Sequence, residues 1–229
     1  PLPNPRPLMY GQAELEEIEV MFNGNSKTVY REKATKEDFL KMLPSATHVH
    51  FSCHGRFNSG IPLYSSLLLA KHDVLTLDEI LTQFVFTNTR LVTLSACQTA
   101  ITDFKKLIDE SIGFPAGFME AGIPGVIGTL WSIDDLSTAF LMLRFYELHI
   151  KDGRSPAESL RSAQLWLRDL TNDEMSDFLK NYYLDDQPSE GRTMFGIARN
   201  EFRKYVTPLG NLKPFEKPVY WAAFVFYGL

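Results

Sequence analysis

His54 and Cys97 are side chains able to take part in nucleophilic chemistry, and each closes a run with the composition of a β-strand. The first run is Thr47-His48-Val49-His50-Phe51-Ser52, closed by Cys53-His54-Gly55, and the second is Leu91-Val92-Thr93-Leu94-Ser95-Ala96-Cys97. If the two strands are neighbours in one sheet, their ends lie about 5 Å apart. An imidazole and a thiol then face one another at the carboxyl edge, where open α/β sheets form their sites. A thiol with a pKa of about 8.5 is mostly protonated at neutral pH, and a nearby imidazole activates it by taking the proton or pairing with the thiolate. The same imidazole can later protonate a leaving amine. Attack on an amide also needs donors for the developing oxyanion, and the backbone at Gly55 and the N–H of Cys97 are the candidates. This chemistry is peptide-bond hydrolysis through a thioester, and it requires no cofactor.

The elements that must position these groups read as strands separated by helices. Ahead of the first strand, Ala13, Leu15, Ile18, Met21 and Phe22 have helical period over Gln12 to Phe22, and Ser26 to Tyr30 is a short strand candidate. Thr35 caps a helix carrying Phe39, Leu40 and Leu43 and ended by Pro44. Leu67-Leu68-Leu69 follows a polar segment, and Thr76 with Glu79 forms a capping box for a helix to about Phe84. After Cys97, Phe114 to Ala121 reads as a helix stopped by Gly122, and Val126 to Leu130 as a third strand. Asp134 and Asp135 open a long helix with Ala139, Leu143, Tyr146 and Ile150 on one stripe, closed near Gly153. Ser155-Pro156-Ala157-Glu158 starts the next helix, to about Leu170. Residues 172–216 are mixed helix and loop, and Val219 to Phe226 reads as a closing strand. Near-continuous apolar strands belong in a parallel sheet covered on both faces.

An ordered series of motifs resembles the CHAT domains, a family related to caspases and separases and commonly fused behind tetratricopeptide repeats. The series is Ser52-Cys53-His54-Gly55, Leu94-Ser95-Ala96-Cys97-Gln98-Thr99-Ala100, Asp109-Glu110 with Gly113, Ala121-Gly122, Gly128-Thr129-Leu130-Trp131-Ser132-Ile133-Asp134-Asp135, and Tyr220-Trp221-Ala222-Ala223-Phe224. It covers about residues 10–170 and 218–229. The resemblance implies a caspase-like three-layer α/β sandwich, with a mostly parallel central sheet and helices on both faces. It makes His54 and Cys97 the catalytic dyad of a cysteine endopeptidase acting on a protein substrate. It also implies an upstream tetratricopeptide-repeat or sensor module as regulator. The whole of 1–229 reads as one such domain, the C-terminal part of a longer chain, with 172–216 as an insertion carrying Arg192, Arg199, Arg203 and Lys204 for binding or gating.

Each candidate has a plainer reading beside it. Cys97 taken alone is a buried structural thiol, His54 a satisfied loop histidine, and Cys53 core packing. Asp134 or Asp135 is placed to read a basic substrate side chain through a charge-assisted pair, yet acids also favour the first turn of any helix. The resemblance to separases favours Asp135. Trp131 is core or pocket wall. Asp103, Lys105, Lys106, Asp109 and Glu110 form an activation loop over 98–112 or a solvated face. His48, His50 and His54 lack zinc-ligand spacing.

Composition bounds the rest. With 229 residues, 45% of them apolar and a formal charge of −5, the chain can bury a core unaided and is not built to neutralise phosphates. Direct nucleic-acid binding is therefore not expected. No stretch has the roughly 20 apolar residues of a membrane span, and two cysteines do not make a secreted disulfide framework. A reducing, cytoplasmic setting is expected. No Gly-rich phosphate loop follows a strand, which counts against a nucleotide-binding domain. The reading from a different class is a protease-like scaffold without activity that binds partners through its cleft.

Overall fold

Side-chain alternation along the strands splits the interior into two apolar layers, one on each face of a central sheet. The computed structural model describes residue 8 and residues 10–58, 60–96, 113–181 and 210–228. The strands are β1 (His48–Ser52), β2 (His54–Arg56), β3 (Ser66–Leu68), β4 (Val74–Thr76), β5 (Leu91–Ser95), β6 (Gly125–Thr129) and β7 (Phe224–Gly228). The central sheet has the order β1-β5-β6-β7, with β1, β5 and β6 parallel and β7 antiparallel to β6.

The helices are α1 (Gly11–Met21), α2 (Lys36–Met42), α3 (Leu77–Thr82), α4 (Phe114–Glu120), α5 (Asp135–Tyr146), α6 (Pro156–Asp169), α7 (Asn172–Asn181) and the single turn α8 (Pro218–Trp221). Val49, Phe51, Val92, Leu94 and Val126 face one layer, where they pack with Phe39 of α2, Leu77 and Ile80 of α3, and Phe114 and Phe118 of α4. Leu91 and Ile127 face the other, against α1, α5 and α6. Alternate residues of a strand must point to opposite faces, so a run apolar at every position needs cover on both sides. This is the expected three-layer, mostly parallel architecture.

Local chemistry sets the helix ends. Thr35 accepts the Asp38 N–H at 3.2 Å, and Thr76 with Glu79 and Ser155 with Glu158 form complete capping boxes. Burial pushes the Glu79 carboxyl up, but the Lys36 ammonium and the Thr76 N–H and hydroxyl together hold it below the ordinary value. Gly122 and Gly153, at φ of 93° and 70°, take the left-handed conformation that ends a helix without Cβ strain. Helix α5 is apolar well beyond one stripe, and every residue from Leu136 to Leu143 is buried.

Three expectations are corrected. Ser26 to Tyr30 is not a strand, because its side chains bond back to α1: the Ser26 hydroxyl donates to the Glu19 carbonyl and the Tyr30 hydroxyl to the Glu19 carboxylate, both at 3.2 Å. The closing strand starts at Phe224, not Val219. Pro218 opens α8 instead, since its fixed φ and missing N–H suit a first helical position. His54 does not close β1. It opens β2, the edge of a second, antiparallel sheet of order β2-β3-β4 in which it lies opposite Leu68.

Candidate functional site

The carboxyl ends of β1, β5 and β6 meet at one rim. Ser52 pairs with Ser95 at the last register position of β1 and β5, and the Cys53 N–H continues the ladder by donating to the Ser95 carbonyl at 3.3 Å. His54 follows, half-buried, with Cys53 turned into the layer that holds Phe51 and Leu94. On the far side of β5, the buried Thr129 hydroxyl at the end of β6 donates to the Ala96 carbonyl at 2.5 Å. The two carbonyls that precede position 97 are thus held by the two flanking strands. Cys97 itself, with 98–112, falls outside the described residues, as do 182–209 with their four basic side chains.

The two acids expected near this rim are both present beside it, and each has a structural partner. Asp134 is exposed and caps α5, its Oδ1 accepting the Ser137 N–H at 2.9 Å. Asp135, half-buried, accepts the backbone N–H of Tyr10 at 3.0 Å. That bond brings the start of α1 onto the rim, where Gly11 sits so close to β1 that a Cβ would lie 2.8 Å from Ser52 Oγ. Trp131 packs against the α5 layer and donates from Nε1 to the Val219 carbonyl at 3.2 Å.

The histidines of β1 are engaged elsewhere. His48 and His50 point to the α1/α5 face, while His54 has left for the second sheet, so the three do not share a strand face. His50 Nε2 meets Glu14 at 2.7 Å, its Nδ1 meets the Tyr146 hydroxyl at 3.1 Å, and that hydroxyl donates to Thr93 Oγ1 at 3.1 Å. His48 Nε2 lies 3.2 Å from His149 Nε2, and His149 Nδ1 lies 2.7 Å from the Arg154 carbonyl. A carbonyl only accepts, so His149 Nδ1 carries a proton, and with both rings neutral His48 is the Nε2–H tautomer donating to His149. Burial, then His149 and Arg90, push the His48 imidazole down to about 4. Among the described residues no group of three or more His, Cys, Asp or Glu is arranged to hold a metal ion.

Ser95 and Thr129 stand in the motif series, but the sequence assigns neither of them, nor the start of α1, a place at the rim. Besides the motif series, the signal for Thr129 is a hydroxyl at the end of an otherwise apolar strand, beside Gly128. Nothing in the sequence marks the Tyr10 amide as a partner for Asp135, because that contact joins residues 125 positions apart and uses backbone. Chemically, the rim offers an imidazole, backbone donors, carboxylates and a parallel strand end from which residue 97 emerges. Among the described residues no helix is long and apolar enough to cross a membrane.

No curated protein matches the chain. A family model, the CHAT domain, matches residues 3–229. With that match and a helix-flanked, mostly parallel sheet, the chain belongs to the CHAT domain family, whose fold is caspase-like and protease-related.

Proposed function

We propose that this domain is a cysteine endopeptidase in which Cys97 is the nucleophile and His54 the acid and base. The Cys97 sulfur bonds to the scissile carbonyl carbon while its proton passes to the imidazole; the C–N bond then breaks and the amine leaves with that proton. Water, deprotonated by the same ring, hydrolyses the thioester and restores the thiol. The N–H groups of Gly55 and Cys97 receive the oxyanion. The observation that carries this reading is the register: Ser52 and Ser95 are paired on adjacent parallel strands, and His54 and Cys97 each lie two positions further on. The strand ends that lead into the two residues therefore lie side by side.

Asp135, with Asp134 beside it, is the proposed receptor for a basic side chain of the protein substrate, and an upstream repeat or sensor module is the proposed regulator. A reducing, cytoplasmic setting keeps such a thiol usable. A thiol-reactive peptide probe tests the reading. Labelling should disappear in both Cys97→Ala and His54→Ala. A chain that stays unlabelled when its regulator is engaged is instead an inactive, partner-binding scaffold. Peptide-library cleavage should favour Arg or Lys before the cut, and Asp135→Ala should erase that preference.

A further inference from the structure

Two tight turns of this chain share a backbone shape but not a sequence. Among the described residues, four that are not glycine have left-handed φ: Asn23 at 51°, Arg31 at 51°, Lys71 at 55° and His72 at 66°. Asn23 stands before Gly24, itself at 79°, and the Asn25 N–H donates to the Phe22 carbonyl at 3.0 Å across them. Two left-handed central residues closed by such a bond make a type I′ turn, for which Asn-Gly is a preferred pair. The connection from β3 to β4 closes in the same way, the Asp73 N–H donating to the Ala70 carbonyl at 3.0 Å, but its central residues are Lys71 and His72. A Cβ disfavours the left-handed region, and lysine has no short polar side chain to offset that. The chain thus keeps two basic side chains where the turn itself favours neither.

Arg31, the third basic residue of the four, lies beside them. The Ala70 N–H donates to the Ala34 carbonyl at 2.8 Å, so the turn at Arg31–Lys33 touches the turn at Lys71 and His72. Lys33 and Lys71 are each next in sequence to one residue of that bonded pair. Arg31, Lys33, Lys71 and His72 are all exposed, and Lys33, Lys71 and His72 make no hydrogen bond or ion pair among the described residues. Of the acids beside them, Asp73 accepts the Lys36 N–H at 3.1 Å, Glu79 meets the Lys36 ammonium at 2.6 Å, and Glu32 is exposed. Leu68, which lies opposite His54, leads through Leu69 into this turn, so the patch begins within a few residues of the rim.

We propose that these two touching turns are a docking surface for an acidic segment of a protein partner, with Lys33 and Lys71 as its central contacts. The chain as a whole carries a formal charge of −5, so the cluster stands in a field that repels nucleic acid at long range. A patch this narrow fits a short run of carboxylates, each taken by an ammonium in a charge-assisted hydrogen bond. Left-handed backbone at residues that disfavour it is held where binding needs those side chains, because selection for stability alone would replace them. The inference does not rest on the peptidase reading, since binding is measurable whether or not the chain cleaves.

The test is fluorescence anisotropy of a fluorescein-labelled octaglutamate peptide titrated with the full chain at low ionic strength. Binding should weaken at least about tenfold when Lys33→Glu is combined with Lys71→Glu. It should stay at the wild-type value in Lys151→Glu, an exposed charge beyond α5. Lys71→Asn combined with His72→Gly separates docking from folding. It should raise Tm by at least about 2 °C while weakening the peptide complex at least about threefold. A wild-type chain that does not bind the peptide overturns the proposal. So does equal weakening in Lys151→Glu, or a Tm that falls when the turn carries Lys71→Asn and His72→Gly. An oligothymidylate of equal charge that binds more tightly than the peptide overturns it as well, because the surface then answers to phosphate.

Discussion

Tyr146→Phe removes one oxygen from the middle of a buried polar chain, and its cost follows from what is left behind. The Tyr146 hydroxyl lies between His50 Nδ1 and Thr93 Oγ1, both at 3.1 Å, in a helix–sheet interface where Tyr146 is 1% and Thr93 0% exposed. Phenylalanine keeps the ring packing against Phe22 and Phe145. It also spares the desolvation of the hydroxyl itself, which burial penalises strongly enough to push the phenol above its ordinary range. Each buried partner that loses its hydrogen bond costs about 1–3 kcal/mol, so the two together should cost about 2–6 kcal/mol. For a chain of this size that lowers Tm by at least about 4 °C. Urea unfolding of Tyr146→Phe, Thr93→Val and the double variant measures the cost and assigns it. With Thr93 already changed to valine one of the two stranded partners is gone, so Tyr146→Phe should cost about 1 kcal/mol less in that background. A loss below about 0.5 kcal/mol, the level of ordinary surface substitutions, or strict additivity of the two changes, would refute the hydrogen-bonded chain as a source of stability.

Stability should also fall with pH through His48. Its imidazole is pushed down to about 4 in the folded chain, against about 6.5 when unfolded. The unfolded chain therefore binds a proton that the folded one refuses, and stability drops as pH falls from about 6.5 toward about 4. The full shift would amount to about 3 kcal/mol, which contact with solvent reduces to about 1–2 kcal/mol. Urea midpoints across that range should slope less in His48→Asn; an unchanged slope would remove His48 as the cause. Gly117→Ala should destabilise although alanine is the better helix former by about 1 kcal/mol. The added Cβ would run into Cδ1 of Leu77, which is itself fully buried, and overpacking of this kind costs about 1–3 kcal/mol. A raised Tm in that variant would show that the α3–α4 contact can yield.

The parts of the fold that follow local rules were legible in the chain. Thr76 with Glu79 and Ser155 with Glu158 are short-range capping patterns, and both occur at those residues. The strands β1, β5 and β6 were readable because burial on both faces demands unbroken apolar runs. The second sheet was not, because its strands are three residues long and held by pairing across a loop, with Leu67 buried between partners that no local pattern reveals. Val219 to Phe226 reads as one strand in the sequence because apolar content alone does not separate a proline-initiated turn from the strand behind it. At the rim, the ends of β1 and β5 follow from the apolar runs that stop at Ser52 and Ser95. The contacts from Thr129 and Tyr10 could not, because each joins positions distant in the chain through a backbone group that has no residue identity.

The first helix starts against the working edge of the sheet instead of on the remote side of the domain. Tyr10 touches Asp135 by one hydrogen bond, and Gly11 touches the residue two before His54 by one close approach. A pull on the chain at the start of this helix therefore acts on the rim through these two contacts.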